Sequence, residues 1–153
     1  MDYTKNLATN RKARHNYHVE KDIECGIILM GTEVKSIKAG NLNFQDSYAS
    51  FENDELYLLN FHISPFKQGS YNNHEPMRKR KLLLHKRELK KVKIQAEQKG
   101  YTLIPLSVYL KGSLIKIKIG LCKGKKLYDK REDIKNRDIS KSIERELKSV
   151  KNE

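Results

Sequence analysis

Hydrophobic positions along this chain switch several times between a period of two and a period of three to four, with polar breakers at each switch. The first 16 residues carry no such period; they are polar and basic, include Asn10-Arg-Lys-Ala-Arg-His15, and predict a poorly ordered arm. Residues 17–21 and 24–29 fit two short strands around a turn at Asp22. In residues 31–40, Thr32 is a candidate N-cap, Val34 and Ile37 share one helical face and Gly40 is a stop, so a two-turn helix is predicted. Residues 46–52 alternate, Asn53-Asp54 offers a turn, and an apolar run follows from Leu56 to Phe61, which together predict a hairpin.

Residues 64–81 hold breaker chemistry without a period and predict a long loop of the kind retained for function. Leu89, Val92 and Ala96 then recur at helical spacing, predicting an amphipathic helix over 86–99 that stops at Gly100. A second hairpin is predicted from 101–110 and 113–122 across Lys111-Gly112. Its second strand alternates Ile115, Ile117 and Ile119 with Lys116 and Lys118, so one face enters a core and the other presents ammonium groups. Several short antiparallel strands and no βαβ alternation predict a mainly β fold: an OB-like closed antiparallel β-barrel with two helices outside it.

Charge sharpens this picture. The 153 residues carry 32 Lys and Arg against 19 Asp and Glu, a formal net charge of +13. Such an excess favours a polyanionic partner, either nucleic acid or an anionic surface. Two basic clusters stand out, one in Met77-Arg-Lys-Arg-Lys-Leu-Leu-Leu-His-Lys-Arg-Glu88 and one in Lys123-Gly-Lys-Lys-Leu-Tyr-Asp-Lys-Arg-Glu132. The segment from Lys123 holds 11 Lys and Arg against 7 Asp and Glu, or +4 of the total, so the body is basic in its own right. This divides the chain into a basic OB-like barrel with its N-terminal arm over 1–122 and a basic C-terminal tail over 123–153. Ile134, Ile139, Ile143, Leu147 and Val150 give the tail a narrow apolar stripe, too thin for a helix that stands alone and suited to one that forms on docking.

The same residues weigh against other classes. No apolar run approaches the ~20 residues of a membrane helix and no apolar leader opens the chain, so a cytoplasmic protein without a membrane partner is expected. Cys25 and Cys122 lie in apolar strand-like stretches, where free thiols behave as small hydrophobes. A nuclease built on Asp129, Glu132 and Asp133 would place its carboxylates in the least apolar part of the chain, and His15, His18 and Cys25 lack zinc spacing. No enzyme, cofactor or metal is expected.

Four separated motifs occur in order: Asn10-Arg-Lys-Ala-Arg-His15, Gly31-Thr-Glu-Val-Lys-Ser36, Lys81-Leu-Leu-Leu-His-Lys-Arg-Glu88 and Gly124-Lys-Lys-Leu-Tyr-Asp-Lys-Arg131. Together they resemble the SsrA-binding protein family, SmpB, the bacterial partners of transfer-messenger RNA, from about Asn10 to the end of the chain. The resemblance implies a non-enzymatic protein that holds the tRNA-like domain of that RNA and delivers it to stalled ribosomes for trans-translation, standing in for the anticodon arm and codon. It implies RNA contacts at Asn10, Arg11, Tyr17, Glu24, Leu83, Lys116, Leu121, Cys122 and Gly124. It further implies a tail in the decoding centre and mRNA channel, engaged through Lys125, Lys126, Tyr128, Asp129, Lys130 and Arg131, and a complex with the alanyl-charged RNA and elongation factor Tu.

The side-chain chemistry agrees with this role, because Lys and Arg meet phosphate, an amide or carboxylate meets base and hydroxyl donors, and an aromatic stacks on unpaired bases. Gly124 would let a backbone come close without a Cβ. Taken alone, Tyr17 serves equally as barrel packing, Glu24 as a partner for a neighbouring Lys, and Leu83 as a support beneath the site. A generic single-stranded RNA-binding OB protein, or a ribosome-associated one, is the alternative reading. The chain departs from the usual pattern at Cys25, where Ala is common, at Glu75, where Asp is frequent, and at Ser140, Ser142 and Ser149, where more basic residues are usual.

Overall fold

A computed structural model of the protein describes residues 4–67 and 73–124. The chain runs β1 (Thr4–Thr9), α1 (Arg11–Asn16), β2 (Tyr17–Ile27), α2 (Gly31–Lys38), β3 (Leu42–Asn43), β4 (Tyr48–Glu52), β5 (Glu55–Leu59), β6 (His62–Ile63), β7 (Arg80–Leu83), α3 (Lys86–Ala96), β8 (Tyr101–Lys111) and β9 (Leu114–Gly124). Seven strands lie in the order β1-β8-β4-β5-β7-β2-β9, and β8 also pairs with β9. That last pairing closes six strands into a ring, which removes all but one free edge, and β1 hangs on β8 outside the ring. The small β3–β6 pair stands apart.

Strand β8 makes closure possible by serving three neighbours. One edge pairs with β9 along its length, from Tyr101 opposite Lys123 to Lys111 opposite Leu114. The other edge meets β4 at Leu103 and β1 from Ser107 to Lys111. Between these two partners the register with β9 shifts at Pro105–Ser107. Proline donates no backbone hydrogen bond and a bulge bends its strand, so this is where the sheet can turn the corner.

Inside the ring, Leu56, Leu58, Phe61, Ile63, Ile117 and Ile119 are fully buried and share a core with Ile37 of α2 and Val92 of α3. A second, smaller cluster joins Ala13 of α1 to Ile104, Leu106 and Cys122, with Tyr17 and Val19 packed against it. Each aliphatic side chain so buried contributes on the order of 1.5–3 kcal/mol.

Both predicted hairpins are present. The turn Asn53-Asp54 has φ of +50° and +64°, the primed geometry that matches strand twist, and Gly112 takes φ +62° in the second. The helix over 86–99 is found at Lys86–Ala96, with Val92 on its buried face and Gly100 beyond it at φ +89°. Four expectations are corrected. The N-terminal arm is ordered over its described part, where β1 pairs with β8 and α1 plugs Ala13 into the small cluster. The two short strands are one continuous strand, Tyr17–Ile27, without a break at Asp22. Among the described residues three helices flank the barrel rather than two. Thr32 is not the N-cap of α2: Met30 is, and its N–H donates to Glu33 Oε1 at 2.7 Å.

The predicted loop over 64–81 is also more structured than its composition suggests; residues 68–72 lie outside the described part. Asn73 joins Phe66 through both ends of its amide, and the buried His74 bridges Ile63 O and Thr32 Oγ1 at 2.8 Å each. A carbonyl only accepts, so His74 Nε2 carries a proton and, in the neutral ring, Thr32 donates to Nδ1. Arg80 is fully buried, its Nε donating to the equally buried Glu33 and its Nη1 to Phe61 O at 2.5 Å. Arg78 Nη2 reaches the same carboxylate at 2.6 Å. Burial would raise the Glu33 carboxyl, but the hydrogen bonds from Arg78, Met30 and Arg80, together with the Arg80 charge, hold it below the ordinary value. Through this network α2 is locked to β7.

Candidate RNA interface

Residues from β2, β7, α3 and the β8–β9 hairpin line a groove of about 910 Å³ on the outside of the barrel. Glu24, Leu83 and Lys116, separated by 59 and 33 positions in sequence, all line it. Alternation delivers each one. Ile23 and Cys25 point inward on β2, which turns Glu24 outward; Leu82 is buried and Leu83 exposed; Lys116 lies between buried Ile115 and Ile117.

Leu83 keeps 49% of its surface exposed, unusual for a leucine flanked by core residues. It stands over Gly26, where an added Cβ would come 3.2 Å from Leu83 Cβ. Glycine therefore lets β7 bring Leu83 down against the β2 backbone. Leu83 thus presents an apolar surface to the groove.

The charge lining this groove is mixed. Lys21, Lys91, Lys111 and Lys116 face Asp22, Glu24 and Glu88, so four ammonium groups are offset by three carboxylates. A track for phosphate alone has no use for the carboxylates, whereas a surface that reads base or ribose donors does. Glu24 Oε2 lies 3.5 Å from Lys111 Nζ. Beneath the groove the buried Cys25 thiol is pushed up to about 12, by burial first and then by the charges of Glu88 and Glu24. It is inert packing.

Asn10, Arg11 and Tyr17 do not join this groove. They line a second concavity of about 660 Å³ with the Asn43–Ser47 segment. Arg11 is exposed there and Tyr17 half-buried against the small cluster. Asn10 is tied to β8: its N–H donates to Leu106 O at 2.7 Å and its amide Nδ2 to Pro105 O at 2.8 Å. It anchors α1 at the bulge, and only the remaining edge of its side chain faces the concavity.

Leu121 and Cys122 have buried side chains, 4% and 0% exposed: Leu121 packs in the main core, and Cys122, on the opposite face of β9, packs in the small cluster under α1. Gly124 is exposed at the end of β9, and a Cβ there would meet nothing within 4 Å, so no neighbour in the barrel requires glycine. Lys125, Lys126, Tyr128, Asp129, Lys130 and Arg131 lie outside the described residues. Sequence reasoning missed Lys21, His85, Lys91 and Lys111, which enter the groove only through the pairing of strands and the docking of α3.

Among the described residues, no His, Cys, Asp and Glu side chains gather as metal ligands, and no helix is long and apolar enough to cross a membrane.

Comparison with known proteins decides the family. The model of the SmpB protein family matches residues 7–149. The chain belongs to the SmpB family. The SsrA-binding protein of Alkaliphilus oremlandii is 56% identical over 95% of this chain and 94% of its own length. That of Borreliella burgdorferi is 55% identical over 93% and 95%. A solved chain described with the words "tmRNA-SmpB: a journey to the center of the bacterial ribosome" aligns at TM-score 0.70 and 47% identity, over 85% of this chain and 95% of that one. The SmpB fold and the closed ring of strands seen here therefore coincide.

Proposed function

We propose that this protein is a non-enzymatic RNA-binding protein of the cytoplasm that binds the tRNA-like domain of transfer-messenger RNA and brings it to stalled ribosomes for trans-translation. Membership of the SmpB family supports the partner. The observation that carries the contact surface is the convergence of Glu24, Leu83 and Lys116 on one groove. Lys116 meets phosphate there, Glu24 accepts from a base or ribose donor, and Leu83 offers an apolar face to a sugar or unstacked base. The concavity of Arg11 and Tyr17 offers a second contact of phosphate and stacking character.

The barrel over 1–122 does the binding and the tail over 123–153 engages the decoding centre and mRNA channel, through Lys125, Lys126, Tyr128, Asp129, Lys130 and Arg131. The charged RNA arrives with elongation factor Tu. Two assays on one preparation test this division: affinity for the isolated tRNA-like domain, and tag addition to nascent chains on stalled ribosomes. Truncation after Cys122, or alanine at Asp129, Lys130 and Arg131 together, leaves affinity within a few-fold and abolishes tagging. Parallel loss of both activities, or retention of both, refutes a separate ribosome-engaging tail. Equal affinity for unstructured RNA refutes the partner.

A further inference from the structure

Resting on the reading of Glu24 as an RNA contact, we propose that Tyr109 and Lys111 are positioning residues, which hold the Glu24 carboxylate in the orientation it presents to the RNA.

Glu24 stands on a ridge between two hollows. On one side is the groove that contains Leu83 and Lys116; on the other is a smaller recess lined by Thr4, Asn6, Ser107, Tyr109 and Lys118. Glu24 and Lys111 belong to both. Lys111 Nζ approaches Glu24 Oε2 at 3.5 Å. Tyr109 lines only the recess and Leu83 only the groove, so Tyr109 lies on the recess side of the carboxylate, away from Leu83, while Lys111 borders both hollows. An ionised carboxylate has roughly four acceptor directions, enough to serve both sides at once.

The position of Tyr109 is unusual. Val108 and Leu110 pack toward the core, so Tyr109 points outward, yet it is only 8% exposed. It is covered laterally: Asn6 of β1 and Lys116 of β9 are its register partners, and the Lys118 ammonium lies 5.9 Å from its ring centroid. Burial, followed by the Glu24 charge, pushes the phenol up to about 12, so it stays a donor throughout the physiological range. β1, which no local sequence signal announces, is what walls this phenol in.

Orientation matters here because glutamate has much rotamer freedom to lose on binding. In a protein of net charge +13 a loose carboxylate also has many competing ammonium partners. A buried phenol and a lysine, both reaching from β8 across β9, restrict that freedom before RNA arrives.

The test is a double-mutant cycle on the full chain, read as affinity for the purified tRNA-like domain RNA, with melting temperature and salt dependence measured alongside. Tyr109→Phe keeps the packing and removes only the hydroxyl; about three- to tenfold weaker binding is expected, with the melting temperature nearly unchanged. In a Glu24→Gln background the same substitution is expected to cost less than about twofold, because the carboxylate it positions is gone. Lys111→Met should behave alike, Lys111→Arg should restore binding, and neither should change the slope of log affinity against log salt. Equal losses with and without Glu24 overturn the proposal, as does a slope shallower by about one unit in Lys111→Met, which marks a direct phosphate contact. If Glu24→Gln weakens binding while Tyr109→Phe and Lys111→Met bind as the unaltered chain does, this inference fails alone. If Glu24→Gln itself binds normally, the reading of Glu24 fails first.

Discussion

Glu33→Gln should destabilise the barrel strongly. Glu33 is fully buried and takes hydrogen bonds from Met30 N–H, Arg78 and Arg80, the last also fully buried. Glutamine is nearly isosteric and keeps one acceptor for the start of α2, but it leaves the Arg80 guanidinium charged and uncompensated inside the protein. Removing one member of a buried pair costs about 3–5 kcal/mol, against a total stability of about 5–15 kcal/mol. For a domain of this size that corresponds to a fall in melting temperature of roughly 10–25 °C. The pH dependence supplies an independent reading. The folded Glu33 carboxyl lies below its unfolded value, so its contribution is complete above the ordinary glutamate value of about 4.3 and is lost as pH falls through the folded value. Thermal melts between pH 3 and pH 7 should therefore show a steep acid limb in the unaltered chain that is shallower in Glu33→Gln. A variant that melts within about 1 kcal/mol of the parent at pH 7, with the acid limb unchanged, would refute the reasoning.

Four further outcomes are expected. Lys116→Ala should make the slope of log affinity against log salt shallower by about one unit in titrations with the tRNA-like domain; an unchanged slope removes it from the phosphate contact. Glu24→Gln should weaken that binding by ~1–3 kcal/mol with little change in melting temperature, whereas a markedly lower melting temperature with normal binding would make it structural. Gly120→Ala places a Cβ 2.9 Å from Leu106 Cδ1 and 3.1 Å from Cys122 Sγ, so calorimetry should register a loss of about 1–3 kcal/mol. Burial pushes the Cys25 and Cys122 thiols up to about 12 and about 11, so alkylation at pH 8 should reach them only in denaturant; rapid labelling of the native protein would contradict their packing.

What the sequence announced is what local chemistry decides. Ile115, Ile117 and Ile119 alternate with Lys116 and Lys118, and that alternation gave both the core face and the outer face of β9. Asn53-Asp54 marked its turn because Asn and Asp tolerate positive φ. Strand β1 was invisible because Thr4–Thr9 has neither alternation nor a β-branched core face; it exists because the free half of the β8 edge needs a partner. Tyr109 was hidden in an apolar run whose period is broken by the bulge at Pro105–Ser107. Leu121 and Cys122 were placed at the RNA surface by resemblance, whereas the direction of each side chain, Leu121 into the main core and Cys122 into the small cluster, follows from the pairing of β9 and the docking of α1.

Strand β7 shows how the barrel and the groove depend on each other. Its four residues invert the usual distribution: Arg80 at one end is fully buried, while Leu83 at the other is half exposed. With a period of two, Arg80 and Leu82 must share a face, so whatever draws Arg80 inward also turns Leu83 outward. Glu33 and the Phe61 carbonyl do the drawing. A one-residue slip of β7 would place Lys81 and Leu83 inside, leaving Glu33 without its guanidinium and the groove without its apolar face. The buried charge network thus acts as a register lock. Its cost in desolvation is offset by specifying which leucine of Leu82-Leu83-Leu84 faces the groove, a choice that three identical apolar side chains could not make among themselves.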